Sequence, residues 1–284
     1  MEKRAEIGII GGSGVYNPAM LSEVESIEVD TPFGKPSSAI TVGMMGDRRV
    51  AFLPRHGVGH HISPSELNSK ANIYALKKLG VSFVISAAAV GSLKEEIKPL
   101  DIVIPDQIFD RTRRRGTFFE DGIVAHISFA DPFCKEISEL LYNAAKKKGY
   151  AVHDGGTYVC IEGPQFSTRA ESHTYRQLGF DIIGMTAIPE AKLAREAEIC
   201  YATMATVTDY DVWKDEEVDI EMVISNVQKN ELTVRDVIAD VIPKIEISGS
   251  CKCQNALESA IVTDRNVISE KAKVRLKLLI GRYL

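Results

Sequence analysis

The chain has 284 residues, 45% of them hydrophobic and 26% charged, with a net charge of −5. This is the composition of an ordinary globular protein, of a length suited to one large α/β domain or two small ones. The acidic balance argues against nucleic-acid or membrane-surface partners, and no apolar run reaches the length of a membrane span.

The N-terminus, MEKRAEIGIIGG, passes from charge straight into a short strand with no signal-peptide h-region. That reads as a cytoplasmic chain. Glu6–Ile10 is a strand running into Gly11-Gly12-Ser13-Gly14, a turn that lets backbone N–H groups approach an anion. Its glycines do not fall as GxGxxG, so a phosphate-sized anion held with the Ser13 hydroxyl fits better than a dinucleotide. Ser26–Asp30 and Ala39–Val42 are strands joined through the turn-rich TPFGKPSS. Arg49–Leu53 is a strand ending in Pro54-Arg55-His56-Gly57. Arg55 and His56 read either as an anion clamp, with His56 adding an N–H, or as a surface Arg and a capping His. His60 and His61 lack metal partners and read as pocket lining or surface. Ser63-Pro64-Ser65-Glu66 has the form of a capping box opening a helix that stops at Gly80.

Val81–Ala87 is a buried strand leading into the small residues Ala88-Ala89-Val90-Gly91-Ser92, which mean close approach to a ligand or tight contact within the core. Asp101–Pro105 is a further strand. The basic run Arg111 to Arg115 suggests a solvated loop or a subunit contact rather than nucleic acid. Asp131–Lys148 is an amphipathic helix, and Gly156–Cys160 a strand leading into EGPQFSTRAE. There Ser167 or Thr168 starts a helix, and Phe166 is free to stack on a flat ligand. Asp181–Met185 is a strand followed by Thr186 and a helix through Pro189. Tyr201–Thr208 is a strand ending in Asp209-Tyr210-Asp211. The two acids read either as solvated loop residues or as a tuned pair at a strand end, where α/β sheets bind ligands. Glu216–Asn230 and Leu232–Val241 are expected as helices, and a last helix near Ser269–Arg282 follows a Ser/Gly/Cys tail.

Strands alternate with helices with no repeat and no clean linker. The expected fold is a single α/β domain over residues 1–284, a mixed central sheet flanked by helices, with a core at 5–245 and a tail and helix at 246–284. Five cysteines are present, at 134, 160, 200, 251 and 253. With no CxxC pair and no His at ligand spacing, no metal is expected, and reduced thiols are the default. Cys251-Lys-Cys253 also admits a strained disulfide.

The motifs GGSGVY, PRHG, AAAVGSL, EGPQFSTRAES, GMTAIPE and TDYDVW occur in unbroken order between about residues 5 and 245. Together they resemble the trimeric purine nucleoside phosphorylase family, and within it the branch that cleaves 5′-methylthioadenosine. The resemblance implies a nucleoside phosphorylase-like fold and phosphorolysis of that nucleoside to adenine and 5-methylthioribose 1-phosphate. It implies no cofactor, with inorganic phosphate as co-substrate and a small-molecule nucleoside as the other partner. It places phosphate on Ser13, Arg55, His56, Ala88, Ala89 and Thr186, although the branch usually has Thr where this chain has Ala88. It places the ribose over Met185, the base against Phe166 and Ser167, and the purine N7 and 6-amino group before Asp209 and Asp211, with Tyr210 between them. Asp209, Asp211 and His56 become the catalytic candidates. His126 would reach a neighbouring copy's site in a trimer or a dimer of trimers. Ile220, Val223 and Ile224 form an apolar stripe that is either core or, by family position, the 5′-methylthio pocket. Bridges Cys134–Cys200 and Cys251–Cys253 would fit hyperthermophilic members.

The acids bear on specificity. A 6-amino group donates to a carboxylate at Asp211, whereas a 6-oxo group only accepts, and members acting on 6-oxopurines tend to carry Asn there. The alternatives are a broad purine nucleoside phosphorylase accepting adenosine, inosine or guanosine, a nucleoside-binding protein without catalysis, and a Rossmann oxidoreductase.

Overall fold

The computed structural model describes residues 4–12, 20–114, 116–214, 220–246 and 251–284, with only the backbone of Ile220. Ser13, and the side chain of Ile220, lie outside the described residues. Short β-branched and apolar runs form β1 (Ile7–Gly11), β2 (Ser22–Ile27), β3 (Ile40–Met45), β4 (Arg48–Pro54), β5 (Phe83–Ser92), β6 (Ile102–Ile104), β7 (Gln107–Asp110), β8 (Val152–Asp154), β9 (Thr157–Cys160), β10 (Ile182–Gly184) and β11 (Cys200–Asp209). The helices are α1 (Ser69–Lys78), α2 (Lys135–Lys147), α3 (Arg169–Gln177), α4 (Ala187–Glu196), α5 (Ile220–Val241) and α6 (Glu270–Ile280).

The strands form one mixed sheet. β4, β1, β5 and β11 run parallel side by side, so their carboxyl ends share one edge. β2 and β3 extend this sheet antiparallel beyond β4. β5 is the branch point: its far end also pairs antiparallel with β10, which continues the sheet to β9 and β7.

Both faces of the central strands are covered, and the alternation of side chains sorts the core. Ile10, Leu53, Val84 and Tyr201 pack with α1, α4 and α6. Ile7, Ile9, Phe52, Ile85 and Met204 pack with α2 and α5 on the other face. The C-terminal helix therefore contributes Leu276, Leu279 and Ile280 to the same core as the strands.

Some elements differ from the sequence reading for local reasons. The Ser63 box closes only a turn, Ser63 Oγ donating to Glu66 Oε2 at 2.6 Å; α1 starts later, where the Asn68 side chain caps Ala71 N at 3.1 Å. β5 continues through Ala88–Ser92 because β11 and β10 supply ladder partners there. The two expected helices near Asn230 are one, α5, with neither Gly nor Pro between residues 220 and 241 to break it.

Candidate active site

The shared carboxyl edge of β4, β1, β5 and β11 opens into a cavity of about 660 Å³. Gly12 lines it from the end of β1, Arg55 and His56 from the end of β4, and Ala87–Gly91 from β5. Thr206, Thr208, Asp209 and Asp211 line it from the end of β11. β4 and β11 stand three strand steps apart, about 14 Å, which separates a cationic end from an acidic one.

At the cationic end Arg55 is buried and fixed. Its Nε donates to Glu190 Oε1 at 2.5 Å and its Nη2 to Glu190 Oε2 at 3.2 Å. Nη2 also donates to Ser86 Oγ at 2.7 Å and Nη1 to the Ala87 carbonyl at 3.0 Å. Of five guanidinium protons this leaves one, on Nη1, without an acceptor among the described residues. Glu190 is the principal residue that sequence reading missed. It sits at the apolar start of α4, where a fully buried carboxylate needs a cation. The Tyr201 hydroxyl donates to it at 3.0 Å.

His56 departs from its expected role as an N–H donor to the anion. Its Nδ1 lies 2.9 Å from the Ile62 carbonyl, which can only accept, so Nδ1 carries the proton. Burial, with Arg55 beside it, pushes its pKa down to about 4, so Nε2 is an acceptor at neutral pH. The ring stacks on His60 at 4.3 Å, which places His60 as pocket lining. Thr186 caps α4 without a side-chain capping bond and faces the cavity.

The acidic end is shaped by a bulge. The β11–β5 register shifts between Val207 and Asp209, so Thr208 and Asp209 both face the cavity instead of alternating. Asp209 Oδ1 accepts from Asp211 N at 2.7 Å, and Asp211 has φ of +51°. The two acids therefore converge through a turn, not through persistent strand geometry as their spacing suggested. Thr208 Oγ1 lies 2.7 Å from Asp209 Oδ2. A Cβ on Gly91 would meet Asp209 Oδ1 at 3.0 Å, so only glycine lets β5 pass this close. Burial raises both acids' pKa values. Asp209 is raised by burial alone, not by the neighbouring acid expected from sequence; Asp211 adds a smaller contribution from Asp209. Among the described residues, Asp211 Oδ2 and the Ser167 and Ser172 hydroxyls make no well-aligned hydrogen bond, but both serines stand beside the Asp211 carboxylate and counter the effect of burial on it.

Phe166, Ser167, Met185 and Thr186 line the cavity, with Ala88, Ala89, Val223 and Ile224. Ala88 contributes no hydroxyl, but Thr206, another cavity residue missed in the sequence, holds Oγ1 3.4 Å from the Ala88 carbonyl. Gly163, at φ of +67°, leaves room for the Met185 sulfur. Tyr210 does not line the cavity: its ring meets Trp213 edge-on at 5.6 Å. His126 is exposed and outside the lining. The basic run is only partly a solvated loop, since half-buried Arg114 donates to Glu162 Oε1 at 3.1 Å, Met185 O at 2.7 Å and Ile188 O at 2.9 Å. It thereby fixes the segment carrying Met185 and Thr186.

α5 supplies the remaining wall. Val227 and Val234 join Val223 and Ile224, and Ile224 is 52% exposed. From the same helix Asn226 Nδ2 donates to the Thr208 carbonyl at 2.8 Å and Asn230 Nδ2 to the Val207 carbonyl at 3.0 Å.

The expected bridges Cys134–Cys200 and Cys251–Cys253 are not formed, and all five cysteines are free thiols. Cys134, Cys200, Cys251 and Cys253 instead gather in one cluster, with Cys134 Sγ 3.6 Å from Cys251 Sγ. Among the described residues no helix is long and apolar enough to cross a membrane.

The model of the phosphorylase superfamily matches residues 6–243. A protein of Geobacter sulfurreducens named S-methyl-5′-thioadenosine phosphorylase is 51% identical over 282 residues, spanning 98% of this chain and 99% of its own length. The crystal structure of a methylthioadenosine phosphorylase from an antarctic soil metagenomic library superposes with a TM-score of 0.93 at 49% identity, over 98% of this chain and 99% of that one. A variant of the Schistosoma mansoni adenosine/methylthioadenosine phosphorylase in complex with methylthioadenosine superposes at 0.85 with 36% identity, over 93% of this chain and all of that one.

Proposed function

The chain belongs to the phosphorylase superfamily, and we infer that it cleaves 5′-methylthioadenosine with inorganic phosphate, giving adenine and 5-methylthioribose 1-phosphate. The observation that carries the reading is the pair of buried acids, Asp209 and Asp211, in the same cavity as the Arg55 fork.

In this reading phosphate sits at the end lined by Gly12, Arg55, Ala89 and Thr186. The remaining Arg55 proton and the Thr186 hydroxyl donate to it, and the neutral His56 Nε2 accepts from its P–OH. Held there, the anion is aimed at C1′ and stabilises the developing oxocarbenium charge. A phosphate oxygen bonds to C1′ as the C1′–N9 bond breaks, and the bonding pair leaves with the purine. Asp209, whose pKa burial raises, gives N7 its proton as the base departs. Asp211, beside the Ser167 and Ser172 hydroxyls, accepts from the 6-amino group through Oδ2. Phe166 and Met185 flank base and ribose, and Val223, Ile224 and Val227 receive the 5′-methylthio group. The wall at Ile224 is open, and exposed His126 fits the role of closing a neighbouring copy's site in a trimer or a dimer of trimers.

Adenine release from 5′-methylthioadenosine, with and without phosphate and beside inosine, tests this. Phosphate-dependent release with little inosine cleavage is the expected result. Release without phosphate makes the chain a hydrolase. Equal turnover of inosine removes the role given to Asp211 and favours the broader purine nucleoside phosphorylase.

A further inference from the structure

Three separate parts of the chain converge on the sulfur cluster. Cys134 is the N-cap of α2, Cys200 is the first residue of β11, and Cys251 and Cys253 stand in the C-terminal segment. All four Sγ atoms lie within 4.8 Å of one another. The Cys134 side chain makes no capping bond, so its sulfur is available to the cluster. We propose that these four cysteines form a structural zinc site, a closed tetrathiolate that fastens the C-terminal segment to α2 and β11.

The geometry separates this from the disulfide alternative. Two disulfides draw sulfurs together in pairs at about 2.05 Å and leave the pairs independent. A tetrahedral zinc holds four thiolates at about 2.3 Å, which sets all six S···S separations near 3.8 Å. The mutual approach within 4.8 Å, with Cys134 and Cys251 at 3.6 Å, is close to the second pattern. Four thiolates around Zn²⁺ carry a net charge of −2, and the N-terminus of α2, capped by Cys134, points its positive end at them. Ligation exchanges four S–H protons for one Zn²⁺ with no change of oxidation state.

With four protein ligands the site has no open position for substrate, which makes it structural. Cys200 and Asp209 are at opposite ends of β11, about 30 Å apart at strand rise, so the metal does no chemistry in the cavity. The spacing in the sequence hid the site because Cys134 lies 117 residues from Cys251.

The test is metal analysis of the full-length protein, purified with a thiol reductant and without chelator. One zinc per chain is expected, either as isolated or after incubation with zinc sulfate and desalting. Mercurial titration should release it in step with the loss of four thiols. Incubation of demetallated protein with Co²⁺ should give the visible d–d and near-ultraviolet charge-transfer bands of tetrahedral thiolate coordination. Cys253→Ser should lose the metal, whereas Cys160→Ala, outside the cluster, should keep it. If Cys253→Ser fails to fold, the parent protein's stoichiometry and cobalt spectrum still decide. No zinc with a single reactive thiol in denaturant without reductant means disulfides and overturns the proposal. No zinc uptake with five reactive thiols overturns it too.

Discussion

Replacing Glu190 with Ala removes the carboxylate that neutralises Arg55. The pair is joined by bonds of 2.5 and 3.2 Å, and the two side chains are 3% and 2% exposed. The remaining Arg55 partners, the Ala87 carbonyl and the Ser86 hydroxyl, are uncharged. Breaking a buried pair by deleting one partner costs about 3–5 kcal/mol, because the survivor stays buried and uncompensated. At about 2–4 °C per kcal/mol for a chain of this size, the expected fall in Tm is about 6–20 °C. Glu190→Gln keeps one acceptor and should fall less. Thermal unfolding with and without phosphate gives the sharper signature. A dianion bound beside Arg55 supplies the missing counter-charge, so phosphate should raise Tm more in either variant than in the parent. An unchanged Tm in Glu190→Ala would refute the ion-pair argument. Equal phosphate-induced shifts in all three proteins would place phosphate away from Arg55.

Asp211→Asn exchanges an acceptor for a donor, and the mismatch with a 6-amino group should cost about 1–3 kcal/mol, or roughly 5–150-fold in kcat/KM for adenosine-type substrates. Inosine should gain, and the ratio of the two rates measures the change. Asp209→Asn should lower kcat by about 10²–10⁴-fold, the usual weight of a general acid. Because burial raises the Asp209 pKa, ionising it opposes folding as pH rises through that value. The Asn variant should therefore melt no lower than the parent at neutral pH, and the parent's kcat should decline on the alkaline side. For His56 the sign is reversed. Its pKa falls from 6.5 to about 4 on folding, so the unfolded chain binds the proton first and stability is lost as pH drops from 6.5 to about 4. At about 1.4 kcal/mol per pH unit the loss is up to about 3 kcal/mol. Denaturation midpoints across that window should show it, and His56→Gln should flatten it.

The strand ends were legible because apolar runs stopping at PRHG, AAAVGS and TDYD obey simple local rules. Arg55, Thr186, Asp209 and Asp211 all reach one cavity, as their places after strands suggested. Less legible were contacts made across the chain. Glu190 stands 135 residues from Arg55, and its only local signal was a carboxylate within AIPEAKLA, where the nearby Lys192 reads as its natural partner. Arg114 read as part of a solvated loop or a subunit contact because its acceptors, the Glu162 carboxylate and the Met185 and Ile188 carbonyls, lie far along the chain. Thr206 and Thr208 looked like ordinary β-branched strand residues. The bulge that turns Thr208 and Asp209 to the same side leaves no mark in the sequence. His56 was identified by position but given the wrong proton, since its tautomer is set by the Ile62 carbonyl.

α5 is at once the apolar wall at Val223 and Val227 and, through Asn226 and Asn230, the tether of the Val207 and Thr208 carbonyls. In the proposed reading, the sulfur-bearing tail of the nucleoside, remote from the bond that breaks, presses on the same helix that tethers the strand end beside Asp209. Its binding energy would then be expressed in turnover as well as in affinity. A nucleoside with a smaller or hydrated 5′ end would be held about as well at the purine, yet would leave the acid less firmly braced. Discrimination would then appear mainly in kcat.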